Sequence, residues 1–533
     1  MGLENYSVRK LVYWLIALAT IGRLCIAAFI ELGNDEVYYL TYAFFPSLSH
    51  FDHPPMVGWV IQLFTLNFLF NSELFIRLGP VILSAGSTWI IFKIGTLLRD
   101  ELTGLIAAII FTSSIYASVI AGIFIMPDAP QLFFWLAGLY YVLKVLPDVS
   151  DKGSKTDFYL AGLFIGLSML SKYTSVFLWI GAVSYIVFYK KQWLRKKELY
   201  LSILISFIIF LPVLIWNFQN SFISFTYHTE RVEVSHTGLR FDYFFTEFFG
   251  EVLYNNPLVF IMIIMALIAI IRHRHFLSRE HKKILLFTAL PTILLFLCIA
   301  LTRRTLPHWT GPAYTTLILL AACWQRERIV NHKYSRKSLS LLIPALVLIV
   351  LALSIGIGQV NHGWFDRKTQ NANVNDLGSN DVTLDLYGWR QIEKQFKSIK
   401  QETEDKGLIS KNAPIISWRW FPAANLDYYV AYPLKMKVLA LGKFEDIHKY
   451  AWINKSRGGF VTGMDGWFIC TSRDYKNPHE VYGKCFNNIQ LVQIIHIYRG
   501  RNHVMNAFVF YMNGLKPNAD ALFGLDKLML NNY

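Results

Sequence analysis

The sequence carries little charge. Only 16% of its 533 residues are Asp, Glu, Lys or Arg, whereas an average soluble domain has about 25%. Hydrophobic residues make up 54% of the chain and aromatic residues 16%. This balance excludes an ordinary soluble globular protein. It predicts a polytopic α-helical membrane protein, in which each span needs about 20 mostly apolar residues.

Cysteine is also scarce, with five residues in the chain. Cys25, Cys298 and Cys323 fall in apolar runs and are interpreted as packing residues without redox chemistry. Cys470 and Cys485 lie in the hydrophilic C-terminal part. A disulfide between them is compatible with a location outside the cytoplasm, and two free thiols are the equally weighted alternative. The sequence leaves both alternatives open.

Several familiar signals are missing. There is no secretory signal with a small-residue cleavage site, so residues 11–30 are interpreted as a retained first span. We find no internal repeats and no low-complexity tract. The cytoplasmic segments contain no sugar-nucleotide motif and no glycine-rich loop of the kind that binds phosphates.

The positive charge is concentrated in three places. The net charge is +15, and residues 190–197, 272–283 and 326–337 contain five Lys or Arg each. Each cluster lies in a short gap between long apolar runs, which is typical of cytoplasmic loops of membrane proteins. The distribution therefore favours a membrane protein and argues against nucleic acid as a partner.

The apolar runs predict eleven membrane-spanning helices. Residues 158–189 are too long for one span and are interrupted at 171–175. The gap at 147–157 and the basic cluster at 190–197 should lie on the same side of the membrane. We therefore expect residues 158–189 to cross the membrane twice. The other spans are predicted near 11–30, 74–97, 102–121, 129–146, 200–217, 252–271, 284–302, 309–324 and 339–358.

With the basic clusters inside, the first loop after residue 30 lies outside. Residues 36–47 and 54–70 are apolar and aromatic and are interpreted as helices lying along the membrane surface. Pro54 and Pro55 suit the start of the second of these helices. If residues 54–73 formed a true span, every basic cluster would lie outside, against the usual cytoplasmic location of positive charge. We therefore reject this alternative.

The composition changes after residue 358. Charged residues occur throughout the rest of the chain, and short apolar and aromatic runs near 413–418, 436–441, 466–470, 491–498 and 506–512 predict strands. Residues 386–407 have helical periodicity and end at a glycine. We therefore expect two domains: a transmembrane domain over 1–358 and a soluble α/β domain over 359–533 on the outer side.

The predicted topology collects the unusual polar residues at the outer face. They are Asp35, Glu36, Asp52, His53, Asp128, Lys172, His228, Glu230, Arg231, Arg303, Arg304 and His308. Independent surface loops would not need carboxylates and cations at one depth, so the pattern predicts a single pocket. Each residue also has a simpler interpretation: a helix cap for Asp35 or Asp128, a side chain reaching the head groups for Lys172, or lipid phosphate binding for Arg303 and Arg304.

Carboxylates and cations together suit glycosyl transfer. A carboxylate can take the proton from an acceptor hydroxyl or amine. Cations can hold a phosphate leaving group as charge builds up on it. If the donor is linked to a lipid, the site must lie at the membrane surface. This pattern favours an enzyme over a flippase for lipid-linked sugars, which would place polar residues near the bilayer midplane in broken helices and repeats. A non-catalytic scaffold would leave the polar set unexplained.

Six motifs resemble a known family. "NDEVYY", "FDHPP", "RLGPVILS", "MPDAP", "LSMLSKYT" and "TLPHWTGPAY" are similar, in order and spacing, to motifs of the family-39 glycosyltransferases of the GT-C superfold. This family includes bacterial relatives of the protein O-mannosyltransferases and the lipid A aminoarabinose transferase. The similarity covers residues 10–325, and "DLYGWRQI" and "YYVAYP" extend it to the C-terminal domain. The resemblance implies an inverting transferase that uses a polyprenyl-phosphate sugar.

The resemblance also implies roles for single residues. Asp35 matches the acidic residue of the first loop, the general base, and Glu36 would support it. Asp128 matches the second acidic residue. Lys172 matches a lysine of the aminoarabinose transferase. Tyr38 departs from the pattern, because the aminoarabinose transferase has a basic residue at this position. The resemblance therefore does not imply the same sugar or the same acceptor for this chain.

Further matches concern the phosphate and a metal. Asp52 stands where the aminoarabinose transferase has a Glu, and it is a candidate metal ligand. His53 stands where that transferase has a Lys, and it is a candidate contact of the donor phosphate. Arg303, Arg304 and His308, together with Arg231, are candidates for binding the donor phosphate or the acceptor. A divalent metal ion is compatible with Asp, Glu and His at one site, but an obligatory metal is not expected.

The resulting expectation is a bacterial enzyme of the inner membrane with its active site on the periplasmic side. Its partners would be a polyprenyl-phosphate sugar as donor, a lipid, glycan or protein of the cell envelope as acceptor, and membrane lipids. The alternative function is that of a transporter or flippase of lipid-linked sugars.

Overall fold

The computed structural model describes residues 5–148, 155–232, 238–331, 340–366 and 373–525. Residues 332–337 of the third basic cluster lie outside this described part. The chain forms twenty α-helices and five strands in these ranges. The helices are α1 (Asn5–Phe29), α2 (Asn34–Phe44), α3 (Met56–Phe64), α4 (Glu73–Leu98), α5 (Glu101–Ser113), α6 (Asp128–Val145), α7 (Lys155–Met169), α8 (Val176–Tyr189), α9 (Lys197–Gln219), α10 (Ile223–Val232), α11 (Phe241–Tyr254), α12 (Pro257–Ile271), α13 (Arg279–Ala300), α14 (Gly311–Asn331), α15 (Leu342–His362), α16 (Trp389–Asp405), α17 (Trp420–Asn425), α18 (Phe444–Ile447), α19 (Tyr450–Ser456) and α20 (Pro478–Tyr482). The strands are β1 (Ile415–Ser417), β2 (Val438–Ala440), β3 (Gly466–Thr471), β4 (Phe486–Arg499) and β5 (Asn502–Leu515).

The chain divides into two compact units. Unit 1 consists of residues 1–28 and 52–353, and unit 2 of residues 29–51 and 354–533. Unit 2 thus takes a segment from the first loop, including α2, in addition to the C-terminal part. The functional division into 1–358 and 359–533 stays a prediction.

Apolar helices form unit 1. Among the described residues, five helices are long and apolar enough to cross a membrane: α1, α4, α9, α13 and α15. The pair α11 and α12, bent by 100°, adds a sixth if it is one span. The predicted break within 158–189 is confirmed, because α7 ends at Met169 and α8 begins at Val176. The total of eleven spans stays a prediction.

Close approach of helices depends on small residues, as is common between membrane helices. Gly162 of α7 faces α9, where a Cβ atom added to it would lie only 2.2 Å from the Ser202 carbonyl oxygen. The Ser202 hydroxyl donates to the Phe158 carbonyl at 2.7 Å. This contact fixes the register between α7 and α9.

The basic clusters meet at one end of unit 1. The Arg99 guanidinium donates to the Phe276 carbonyl at 3.0 Å and to the Glu327 carboxylate at 2.7 Å. The Lys283 ammonium lies 3.5 Å from the centre of the Tyr189 ring. The segments that carry the clusters are therefore neighbours, and the assignment of this end to the cytoplasm stays a prediction.

Unit 2 is built on a mixed sheet with the strand order β2-β1-β3-β5-β4. β1 pairs in parallel with β2 and β3, whereas β5 pairs antiparallel with β3 and β4. The five predicted strands are confirmed. So is the predicted helix, which is α16 and is followed by Gly407 with a φ of +69°. Cys470 and Cys485 are both buried and are not joined to each other in this structure, and the side of the membrane on which they lie stays a prediction.

Helix α2 is held within unit 2 at both ends of its segment. Ahead of α2, the Glu31 carboxylate accepts from the Trp389 backbone N–H at 2.9 Å, at the start of α16. At its end, the fully buried Lys449 ammonium donates to the carbonyls of Thr41 and Phe45 at 2.9 and 2.8 Å. A cation at this position is favourable because it lies at the negative end of the helix dipole.

Candidate active site

A buried ion pair lies at the centre of the polar cluster in unit 1. The Lys172 ammonium donates to both oxygens of Asp128, at 3.0 and 2.8 Å. Lys172 follows α7 and is 4% exposed, whereas Asp128 begins α6 and is fully buried. The alternative in which Lys172 extends to the lipid head groups is therefore wrong. A buried charged pair with this geometry orients the ammonium.

Tyr116 supports Asp128 from a third element, and sequence reasoning missed it. Its hydroxyl donates to Asp128 Oδ1 at 3.2 Å. Tyr116 begins a short π-helix at Tyr116–Ile120, a rare conformation that often marks functional sites. In the sequence it stands within an apolar run and looks like an ordinary core residue.

Three histidines surround the ion pair. His53 interacts electrostatically with Asp128 and Lys172, and its ring lies 6.0 Å from that of His228. His308 likewise interacts with Asp128 and Lys172. His228, one of the polar residues predicted at the outer face but given no role there, bonds through Nε2 to the Asp52 carbonyl at 2.7 Å. Because a carbonyl only accepts, Nε2 carries the proton.

Burial controls the charge of these histidines. Burial lowers the pKa of His53 to about 3, an effect that the nearby Asp52 carboxylate partly opposes. Burial also lowers the pKa of His308 to about 4, with a further contribution from the positive charge of Lys172. Both imidazoles are thus neutral at pH 7 in the absence of a ligand, and each can donate one hydrogen bond.

This electrostatics predicts an acid-sensitive fold. The folded-state pKa values of His53 and His308 lie below the ordinary value of 6.5. Between these values the unfolded chain binds more protons, so stability is fully present above pH 6.5 and falls as the pH drops toward 4. We expect the Tm to decrease over this window, and H308Q to flatten the decrease. Thermal unfolding across the pH range checks this, with H479Q, at an exposed histidine, as control. An unchanged pH profile in H308Q would contradict it.

The remaining predicted cations lie near the cluster to different degrees. The Arg231 guanidinium lies 5.2 Å from the centre of the Trp309 ring, next to His308 in the chain, and interacts with His308 electrostatically. Arg303 and Arg304 follow α13 in the segment that leads to His308, and Arg304 is exposed. Their roles stay predictions.

Asp35 and Glu36 belong to unit 2, whereas Asp52 belongs to unit 1. Asp35 lies exposed in the first turn of α2, which is capped by Gly33, so the interpretation of Asp35 as the N-cap is wrong. Glu36 is buried, and its Oε2 accepts from the Gly33 backbone N–H at 2.9 Å. This bond gives Glu36 a capping role, and catalytic functions of both residues stay predictions.

A buried carboxylate on α11 fixes the turn that carries His308. Glu251 accepts from the Thr310 hydroxyl at 2.8 Å and from the Tyr314 hydroxyl at 2.9 Å. Beside it, a Cβ atom on Gly250 would lie 2.2 Å from Pro307. Glu251 lies in a segment that the sequence suggested only as a loop, and its partners are 59 and 63 residues away.

We expect E251A to loosen this turn. It would leave two buried hydroxyls without their acceptor, at a cost of about 1–3 kcal/mol for each. E251Q keeps one carbonyl oxygen and should be affected less. The Tm of the purified protein measures the loss. An E251A variant as stable as the wild type would show that other groups hold the turn.

A metal site needs several ligating side chains close together. Within the residues that the structure describes, no three or more His, Cys, Asp and Glu side chains are grouped so that they could hold a metal ion. The candidate role of Asp52 as a metal ligand stays a prediction.

Comparisons with known proteins agree with this architecture. Residues 52–216, all in unit 1 and including Asp128 and Lys172, match the family described as dolichyl-phosphate-mannose-protein mannosyltransferase. This part of the chain is therefore similar to that family. The chain is 24% identical over 291 residues to the lipid A galacturonosyltransferase RgtD of Rhizobium johnstonii. The match covers 54% of this chain, and the chain spans about three fifths, 59%, of the length of that curated relative.

The fold of this chain is similar to that of ArnT from Cupriavidus metallidurans. The apo structure of ArnT and the structure bound to undecaprenyl phosphate superpose with TM-scores of 0.63 and 0.64. Each comparison covers 93% of this chain and 97% of ArnT, at 13% sequence identity. The apolar helices followed by a C-terminal sheet domain are thus a shared architecture.

Proposed function

We propose that this protein transfers a sugar from a polyprenyl-phosphate donor to a lipid, glycan or protein acceptor of the cell envelope, with inversion, on the periplasmic face of the inner membrane. The observation that carries the proposal is the Lys172–Asp128 pair surrounded by His53, His308 and Arg231. Among the acceptors, a glycolipid of the lipid A class is supported by the name of the related galacturonosyltransferase.

The donor phosphate is the natural ligand of this cluster. ArnT of the same fold was solved with undecaprenyl phosphate. Lys172 supplies a point charge, Arg231 a planar set of donors, and the neutral imidazoles of His53 and His308 single N–H donors. Asp128 holds the ammonium in place, so little reorganisation is needed when charge develops on the leaving group.

In the proposed reaction, negative charge develops on the departing phosphate and the acceptor loses a proton. The acceptor oxygen or nitrogen attacks the anomeric carbon, while the bond from this carbon to the phosphate oxygen breaks. The electron pair of that bond leaves with the polyprenyl phosphate, whose new charge the cations stabilise. Asp35 takes the proton of the acceptor, with Glu36 fixing the first turn of its helix. Attack opposite the leaving group inverts the anomeric centre.

One experiment distinguishes the transferase from the flippase. The purified protein in lipid nanodiscs is incubated with polyprenyl phosphates carrying a hexose, a pentose, a uronic acid or an amino sugar, together with envelope lipids and proteins. Mass spectrometry should show an acceptor that is heavier by one sugar and an equal amount of polyprenyl phosphate. If vesicles show movement of the donor between leaflets and no covalent product forms, the transferase proposal fails.

A further inference from the structure

A polar cavity lies in unit 2, next to the end of α15. Its volume is about 1130 Å³. It is lined by Gln359 from the last turns of α15, Phe365, Asp366, Asn373, Val374, residues 376–381, Leu384, residues 501–504 and Asn506. Pockets that hold small ligands measure about 300–1,000 Å³, so this cavity has room for a ligand of several rings.

A buried arginine holds two carboxylates that line this cavity, Asp366 and Asp381. Arg499, fully buried, donates to Asp366 Oδ1 and Asp381 Oδ2, both at 2.9 Å. Gln359 also donates to Asp366 Oδ1, at 3.0 Å. The other oxygen of Asp366 is buried and has no hydrogen-bond partner in the described part of the chain. A carboxylate held this firmly, with one oxygen left over, is suited to accept from a ligand.

An asparagine network builds the opposite wall. Asn506 Oδ1 accepts from His503 Nε2 at 2.7 Å and lies 2.9 Å from His496 Nδ1. The amide nitrogen of Asn506 donates to the Val374 carbonyl at 3.0 Å. These bonds tie the β4–β5 turn to residues 373–381. The wall therefore has a defined shape before any ligand arrives.

The lining selects a ligand rich in hydroxyl groups. It contains four asparagines, together with aspartate, serine and histidine side chains. A hydroxyl both donates and accepts, so it can pair with all of these groups. The charges largely compensate, because Arg499 lies between two carboxylates, and Asp376 and Arg501 have opposite signs. Phe365, 67% exposed, adds an apolar ring face at the rim.

We propose that this cavity binds the saccharide head group of the acceptor glycolipid. The inference rests on the proposed function and adds the place where the acceptor is recognised. Gln359 belongs to α15, a candidate membrane span, so the cavity begins where the chain leaves the lipid. A head group that is anchored in the same membrane can reach it.

The test uses the full chain in nanodiscs and variants of exposed lining residues. N380A/N502A removes two amides from the cavity, whereas N412A removes an exposed amide of the same unit outside it. Binding is measured to a panel of lipid-free di- to tetrasaccharides, and to the same saccharides attached to lipid in phosphatidylcholine vesicles. We expect at least one lipid-linked saccharide to bind wild type and N412A alike, and N380A/N502A about tenfold more weakly.

Each result bears on the proposal. The proposal is overturned if the wild type binds no saccharide, or if N380A/N502A binds saccharides with the same affinity as the wild type. It is also overturned if the wild type binds free and lipid-linked saccharides with equal affinity. Transfer assays separate it from the proposed function. If N380A/N502A raises the KM for the acceptor about tenfold but leaves kcat and donor binding unchanged, the cavity is the acceptor site. If saccharides bind and no donor supports transfer, the transferase proposal fails while the cavity remains a saccharide site.

Discussion

Replacing Lys172 by methionine is expected to lower the rate of sugar transfer by about 10²–10³-fold, the usual loss when one preorganised donor to a developing negative charge is removed. Lys172 contacts both oxygens of Asp128 and lies at the centre of the cation cluster. Its charge is the one nearest to that buried carboxylate. Transfer kinetics with a polyprenyl-phosphate sugar measure the effect.

The K172M variant needs a stability control. Removing one partner of a buried ion pair costs about 3–5 kcal/mol, because the other charge stays buried. The double variant D128N/K172M removes both charges and should recover much of the Tm. If it recovers stability but not transfer, the ammonium is required for chemistry. Transfer at the wild-type rate in either variant would refute this role for Lys172.

The second large effect is expected for D35N. Loss of a general base typically reduces the rate by about 10²–10⁴-fold. Asp35 is exposed in the first turn of α2, where a negative charge stabilises a helix by only about 0.3–1 kcal/mol. The Tm should therefore hardly change. Rates with the lipid-linked donor and binding of polyprenyl phosphate are measured together, and binding should be retained.

E36Q is the matched variant for D35N. Its amide oxygen can still accept from the Gly33 N–H, so the cap is kept while the charge is lost. If Asp35 is the base and Glu36 a cap, E36Q should lose far less activity than D35N. Equal losses would point to a shared role of the two carboxylates, and full activity of D35N would exclude Asp35 as the base.

The secondary structure of unit 2 could be predicted because its signals are local. A buried strand such as β3 or β5 is a continuous apolar run, and Gly407 adopts the left-handed conformation that follows many helices. The helices α7 and α8 were also separable, since polar residues interrupt their apolar run. Each of these signals lies within a few residues of the feature that it predicts.

Only part of the candidate site could be predicted from the sequence. Asp128, Lys172, His53 and His308 stand out as polar residues among apolar ones, and the structure brings them together in unit 1. Tyr116 does not stand out, because an aromatic residue in an apolar run resembles any core residue. Its bond to Asp128, like those of Glu251, depends on packing between helices that no local pattern encodes.

The division of the chain into units could not be predicted either. Residues 29–51 look like part of a membrane loop, yet they belong to unit 2. The reason lies in single contacts, such as Lys449 with the end of α2 and the Tyr38 ring 5.0 Å from that of Trp420. The partners are separated by hundreds of residues, so only the fold reveals them.

The contact of Lys449 with the end of α2 limits how this chain can be recombined with its homologues. A C-terminal segment exchanged alone between two homologues would bring a new surface against an old helix α2. Its buried tyrosines and its final carbonyls would then meet side chains that they had not evolved with. Because Asp35 lies on that helix, a functional chimera has to inherit residues 29–51 and 354–533 from the same parent.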